Sequence, residues 1–274
     1  YTPSLQEMVI NIGANYAATA GYGPNQIATI MGMGGLLLVI RLFDIKSKWI
    51  NLIDLGLLAM MSYRAIITFS RGGIVTAMVC SVAFLLLLYY KKGKTEQKRL
   101  QLKLLIIGGV LFASWAFSAA GSSGLIVNRW TGKDAAGREK VDLTTGRVEL
   151  ISTELEAFYY NPVVGVGVGK AKSFREKELG EEIATHNEMT RLLSEHGMLG
   201  LLAIIILLSV PILFWLKFEN NFYFLSFMMF WFLTINHSAM RIALPGFVYG
   251  LALLYIVENK KESVRRRRTF KLFS

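Results

Sequence analysis

An all-α, polytopic helical membrane protein is the architecture this sequence predicts, and three observations carry that expectation. Apolar residues, 53% of the 274, are not spread as a soluble core requires. They gather into about seven blocks whose lengths approach the ~20 residues a helix needs to cross a bilayer. Charged residues, only 18% of the chain, fall mostly between the blocks. The long stretch between the fourth and fifth blocks is polar and helical in its spacing, as a domain outside the membrane would be. The single Cys80 lies inside the third block, so neither a disulfide framework nor a cysteine zinc site is available.

The blocks are Gln26 to Leu42, Ile50 to Phe69, Gly73 to Tyr90, Leu104 to Ala120, Met198 to Leu216, Phe222 to His237 and Ile242 to Val257. If they alternate in direction, seventeen Lys and Arg fall on one side, in the first loop, the Lys91 to Lys103 loop, at Lys217 and in the tail with Arg265 to Arg268. The Gly121 to His196 stretch instead holds ten basic and twelve acidic residues. The positive-inside rule keeps the basic loops cytoplasmic and puts that stretch on the outer face. The resulting organisation is spans 1 to 4 with an N-terminal outer segment over 1–120, an outward-facing helical domain over 121–196, spans 5 to 7 over 197–257 and a basic cytoplasmic tail over 258–274. The arginine run beside a span end reads as a topology anchor, not a nucleic-acid site. Residues 1–25 carry neither an initiator Met nor a signal-peptide pattern, the mark of a chain that begins part way through a longer protein or has been processed. Their Gly21-Tyr22-Gly23-Pro24-Asn25 turn leads into the first span.

The second block holds Asp54 and Arg64, and Arg71 follows in Ser70-Arg71-Gly72-Gly73. A charge near mid-membrane costs ~2.5 to 3.5 kcal/mol on insertion scales, so Arg64 should face protein or a wet cavity, as a carboxylate's partner on a neighbouring helix or as a site residue. Seven residues make about two helical turns, which would set Arg64 and Arg71 on one face. The glycines after Arg71 let backbone approach closely beside a guanidinium fork suited to phosphate oxygens. Lys91 to Lys103 reads as a solvated loop.

In the outer stretch Val148, Ile151, Leu155 and Phe158 or Tyr159 recur at helical spacing, with Glu149, Glu154 and Glu156 on other faces. This predicts an amphipathic helix from Arg147, capped by Thr145 and stopped by Asn161-Pro162. Arg147 at the helix start opposes the dipole, a local conflict common at functional sites; an ordinary solvated arginine is the alternative. The Gly165-Val166-Gly167-Val168-Gly169-Lys170 run lacks both the Walker spacing and the strand-to-helix context of a nucleotide loop, and reads as a turn bringing the next helix back towards the first. Thr185-His186-Asn187-Glu188 has capping-box spacing, so a helix should begin there with His186 in its first turn and run past Gly197 into the apolar block. The positive helix end disfavours imidazolium and leaves a neutral ring available as a base. His237 and Arg241 bracket the turn between the last two blocks, lining the outer cavity or snorkelling to the interface. His186 and His196 are too far apart in sequence to share a ligand face, and no Gly-x-Ser-x-Gly elbow occurs, so no metal, other cofactor or serine nucleophile is expected.

Three fragments together resemble the O-antigen ligase and polymerase superfamily, most strongly over about residues 65–205. They are Ser70-Arg71-Gly72-Gly73 after an apolar span; Thr145-Gly146-Arg147 opening a helix that ends Asn161-Pro162-Val163-Val164-Gly165; and His186-Asn187 followed after nine residues by Gly197 and after two more by Gly200. The resemblance implies a GT-C-type membrane glycosyltransferase of the bacterial inner membrane, with an outward-facing cavity and with spans preceding the seven here. It implies transfer of a glycan from a polyprenyl (undecaprenyl) pyrophosphate carrier to an acceptor hydroxyl on lipid A-core or another envelope glycan, inverting and without metal. Matched by position, His186 would be the general base and Arg71 and Arg147 the cations on the leaving pyrophosphate. Arg64, Arg191, Asn187, His237 and Arg241 are the candidate substrate-binding residues. The His-Asn pattern points to the ligase and oligosaccharyltransferase branch, and a polymerase extending polyprenyl-linked repeats is the alternative. A polysaccharide flippase would show paired, interrupted halves, and no such repeat is visible. A noncatalytic envelope scaffold would keep its function without His186 and Arg147.

Overall fold

The computed structural model describes residues 15–91, 93–140, 146–173, 176, 185–218, 221–238 and 240–256. Its helices are α1 (Pro24–Asp44), α2 (Lys48–Ile66), α3 (Arg71–Lys91), α4 (Lys94–Gly121), α5 (Leu125–Trp130), α6 (Arg147–Tyr160), α7 (Glu188–His196), α8 (Met198–Phe218), α9 (Phe224–His237) and α10 (Leu244–Ala252). Among the described residues there is no strand, only an antiparallel bridge between Lys133 and Glu139. All-α is therefore the fold.

Four helices are long and apolar enough to cross a membrane: α1, α3, α4 from Glu96 onward, and α8. The other three apolar blocks also fold as helices but do not meet that measure, so four of the seven expected spans are supported by length and composition. α2 carries Lys48, Asp54 and Arg64. α9 has 14 residues, roughly 21 Å of helix against ~30 Å of hydrocarbon, and α10 has nine. The Lys91 to Lys103 loop is also shorter than expected, because α4 already begins at Lys94. The tail with Arg265 to Arg268 lies outside the described residues.

The helices hold together by close backbone approach, paired charge and a buried aromatic centre. A Cβ on Gly32 would lie 2.7 Å from the Gly73 carbonyl oxygen, and one on Gly73 2.5 Å from the Thr29 amide nitrogen, so α1 and α3 touch backbone to backbone. Such contacts drive helix association where lipid removes the hydrophobic incentive. Asp54, 1% exposed, braces α2 to α1 through Arg41 at 3.2 Å; pairing is what makes a buried carboxylate tolerable. The centre is α9, which buries eight of its 14 residues, among them Phe227, Phe230, Trp231 and Ile235, against α3 and α10. A helix held mostly by protein contacts need not match the bilayer in length.

α8 is the opposite case: only 11% of its apolar window is buried. Pro211 inside it has no N–H to give the carbonyl four residues earlier. That acceptor, Leu207 O, receives the Tyr249 hydroxyl of α10 at 3.1 Å.

At one end of the bundle Lys103 Nζ donates to Leu42 O (2.5 Å), the Tyr223 hydroxyl to Asp44 (2.7 Å), and Lys91 lies 4.6 Å over the Phe222 ring. The opposite end gathers the α2–α3 turn, α5, α6, α7 and the α9–α10 turn, and it carries the candidate site.

Candidate active site

The α2–α3 turn separates two arginines that sequence spacing put on one face. α2 ends at Ile66 and α3 begins at Arg71, so Arg64 closes one helix and Arg71 opens the next. The two-turn argument fails because the chain reverses between them. Phe69 adopts a left-handed φ of 58° there, and the turn is held from several sides. Thr68 Oγ1 donates to Ala65 O (2.7 Å) and accepts from Ser70 N (3.1 Å). Ser70 Oγ donates to Asn25 Oδ1 (2.7 Å), and Asn15 Nδ2 to Ile67 O (2.9 Å). Arg71 is thus the first residue of a helix whose start is fixed. The next residue leaves room for His237: a Cβ on Gly72 would lie 2.9 Å from the imidazole Nε2. His237 Nδ1 donates to Leu233 O at 2.8 Å, and its Nε2 lies 3.4 Å from Thr29 Oγ1.

Arg71 is in electrostatic reach of three other cations, Arg129, Arg147 and Lys140. Arg129 on α5 donates from Nε to Phe69 O at 3.0 Å, and Ile126 of the same helix packs against Ile66 and Phe69. Arg147 is the first residue of α6, behind Gly146, which takes the N-cap position at φ 72°; the Thr145 cap expected from sequence lies outside the described residues. Burial, then the Arg71 charge, lowers the proton affinity of Arg147. Burial, then Arg71 and Arg147, does the same at Arg129. Lys140 is lowered by burial and by Arg129 and Arg71, with Asp134 opposing. Among the described residues Arg147 enters no hydrogen bond or ion pair, and Arg129 only the one to Phe69. Half-buried guanidiniums crowded by like charge form a receptor for a multiply charged anion. No motif flags Arg129. It follows the fourth apolar block in a short helix that starts at a Gly121-Ser122-Ser123-Gly124 turn, a signal for a helix start and not for a site, and only the fold brings it to Phe69.

His186 stands just outside the helix it was expected to enter. α7 begins at Glu188 and its N-cap is Asn187, whose Oδ1 accepts from Met189 N (2.9 Å) and Thr190 N (3.3 Å). The capping box fails because Asn187 is the better placed cap. Thr185 instead closes a local turn, its Oγ1 accepting from Asn187 N (3.3 Å) and donating to Asn187 O (3.0 Å). His186, half-buried, is the middle of that turn. Arg241 donates to the Thr185 carbonyl, and Met240 N to Glu188 Oε2 at 3.2 Å. The segment that carries His186 is therefore tied to the α9–α10 turn, four residues beyond His237.

The remaining candidates are engaged in holding α7. Arg191 pairs with Glu188 and, at 3.1 Å, with Glu195, and Glu188 raises its proton affinity. Asn187 is the cap, and Arg241 holds Thr185. α6 packs on α7 with a face other than the expected apolar stripe: Leu150, Thr153, Glu154 and Ala157 are buried, while Val148, Leu155 and Tyr159 are exposed. The reason is polar. Glu154, 1% exposed, accepts from the Thr190 hydroxyl of α7, and this contact turns the helix. Among the described residues no three His, Cys, Asp or Glu side chains gather as metal ligands.

Beside the cations, α1 to α4 enclose an apolar cavity of about 500 Å³. Its lining includes Met31, Leu36, Leu58 and Ile66, together with Ile74, one turn beyond Arg71, and Trp130, next to Arg129.

A family model described as O-antigen ligase matches residues 56–205. The chain belongs to the O-antigen ligase family. No curated protein and no solved structure is detectably similar to it. Membership makes its activity that of the O-antigen ligases and polymerases, glycosyltransferase-like enzymes, and the four apolar helices make it a multi-pass membrane protein. The segment matched to the O-antigen ligases runs from the middle of α2 to the start of α8 and contains Arg64, Arg71, Arg129, Arg147, His186 and Arg191. His237 and Arg241 fall beyond it.

In this family member the glycines after His186 serve architecture. Gly197 has φ 59° and ψ −133°, and a Cβ there would lie 2.7 Å from Gly165 N, so it makes the corner between α7 and α8. The Gly165 loop closes the end of α7 in return, Val166 N donating to Ser194 O (2.8 Å) and Gly167 N to Glu195 O (3.1 Å). The glycine run is thus the returning turn that its sequence suggested.

Proposed function

We propose that this protein is a polysaccharide ligase that moves a glycan from a polyprenyl diphosphate carrier to an acceptor hydroxyl of an envelope glycan at the outer face of the bacterial inner membrane. The convergence of Arg71 and Arg147 beside an apolar cavity supports the reading most directly. The two lie 76 residues apart in sequence, on helices that share no motif, yet each belongs to one cationic cluster. A lipid-linked diphosphate has both features such a site would meet, an apolar tail and a compact double anion.

The chemistry follows from charge. As the bond from the anomeric carbon to the diphosphate oxygen breaks, negative charge develops on the leaving group, and Arg71 and Arg147 stabilise it. The acceptor oxygen forms the new bond from the opposite face, giving inversion, and its proton passes to His186 as general base. Arg241 and Asn187 act as positioning residues for His186, through Thr185 and the α7 cap, and Arg191 keeps α7 in register with its two glutamates. A GT-C arrangement suits this assignment, with the apolar tail entering between α1 and α4.

The test is transfer from a defined polyprenyl-diphosphate glycan in proteoliposomes, offering lipid-core and polyprenyl-linked acceptors separately. His186→Ala is expected to lower turnover by roughly 10²- to 10⁴-fold, the usual contribution of a general base. Retained turnover removes His186 from the chemistry. Consumption of the polyprenyl-linked acceptor alone would make the protein a polymerase instead.

A further inference from the structure

We propose that Arg129 and Lys140 form a phosphate-binding subsite facing Arg71 and Arg147, so that the two phosphates of the carrier lie between the start of α3 and the segment following α4. The inference rests on the diphosphate reading above.

The geometry begins with one hydrogen bond. Arg129 donates from Nε to Phe69 O at 3.0 Å. A guanidinium carries five donors in a fixed fork, so anchoring through Nε leaves the two terminal amino groups, the pair that grips a phosphate in bidentate fashion. Among the described residues those groups meet no acceptor. The anchor is rigid on both sides. Ile126, 1% exposed, clamps α5 to Ile66 and Phe69, and the left-handed φ of Phe69 is a conformation that costs a non-glycine residue ~1–2 kcal/mol. Phe69 is two residues from Arg71, so Arg129 is held beside the start of α3.

Lys140 arrives by a different route. The chain after α5 folds back on itself through the Lys133–Glu139 bridge and the bond from Lys140 N to Gly132 O at 3.1 Å. This brings the ammonium group within the fields of Arg129 and Arg71, the two cations that, after burial, lower its proton affinity. The same reversal carries its own contrast. Arg138 is highly exposed and paired with Asp134 at 2.8 Å, so one basic residue of the loop is neutralised locally while another is directed to the cluster. Gathering like charges in a half-buried place is unfavourable unless an anion offsets it. A diphosphate, with a charge on each phosphate group, is matched by cations gathered from several elements, and a monophosphate leaves part of that charge unmet.

The experiment uses the full-length protein in nanodiscs and measures binding of polyprenyl diphosphate and polyprenyl monophosphate, with unfolding temperatures recorded for every variant. Arg129→Gln is expected to weaken diphosphate binding about tenfold, the loss of ~1.4 kcal/mol, and to change monophosphate binding much less. Added to Arg71→Gln, it should still weaken diphosphate binding further, because each side chain makes its own contact with the ligand, although the coupled charges need not give the same factor. Arg138→Gln should match the parent. If Arg129→Gln has an effect alone but none in the Arg71→Gln background, Arg129 only braces Arg71 and the subsite is wrong. If Arg71→Gln weakens binding while Arg129→Gln does not, the diphosphate reading stands and this proposal falls. If the parent binds neither lipid, both fall. Should Arg129→Gln unfold the chain, Lys140→Gln on the exposed loop tests the same subsite, and unchanged diphosphate binding in that variant overturns it.

Discussion

Lys140 reports on the charges around it without any substrate. Burial and the fields of Arg129 and Arg71 lower its proton affinity, so the unfolded chain holds that proton more readily than the folded one. Stability is therefore gained as pH rises through the window just below the ordinary lysine value. Arg129→Gln removes one of the opposing cations, and the Lys140 pKa should move up towards its ordinary value, as followed by NMR of a labelled lysine side chain. No change would mean that the two groups are farther apart than the cluster requires. At this scale Arg71, Arg147 and His186 could be named as candidates because each stands beside a local signal: glycines, a helix start, a cap. Arg129 could not, since it joins the cationic cluster only through Phe69, sixty residues away in sequence. Capping was misassigned for a related reason. Thr185 and Asn187 both suit a helix start, and only the turn geometry shows that Asn187 caps and Thr185 closes the turn before it.

Among the elements, α3 and α6 make opposite demands on sequence reading. The start of α3 was readable because Gly73 advertises a close approach, and Gly73→Ala would press a methyl group into the Ala28–Thr29 backbone. Overpacking of this kind costs ~1–3 kcal/mol, so the thermal unfolding temperature in detergent should fall. Gly108→Ala on α4 meets nothing within 4 Å and should be neutral or stabilising by up to ~1 kcal/mol, the helix-propensity gain over glycine. For α6 the apolar periodicity named the wrong face. The helix is oriented by Glu154 and Thr190, and a buried carboxylate with a hydroxyl partner outweighs a stripe of valine and tyrosine. Leu150→Ala should then cost ~2–5 kcal/mol as a core truncation. Val148→Ser, on the stripe, should stay within ~0.5 kcal/mol as a surface change, by the same unfolding measurement.

For the molecule as a whole, apolar blocks announced every long helix, yet block length could not say which helices meet lipid. α9 is short and more than half buried in protein; α8 lies almost wholly outside it. The cavity between α1 and α4 gives a prediction at this scale. Gly108 lines it with open space beyond its Cα, so Gly108→Phe should fill it without moving backbone. The KM for a long-chain polyprenyl donor is expected to rise by about tenfold, ~1.4 kcal/mol of lost binding, while a donor with a short prenyl chain is unaffected; equal effects on both would mean that the tail lies elsewhere. Pro211 has a meaning that only the assembled molecule reveals. A helix greasy on all sides has no reason to prefer one rotation about its axis, because every orientation in hydrocarbon is equivalent. By uncovering the Leu207 carbonyl, the proline gives α8 a polar mark on one side, and Tyr249 reads it. What looks like a defect in the helix is a compass needle, and one hydroxyl helps to set the rotation of the whole span.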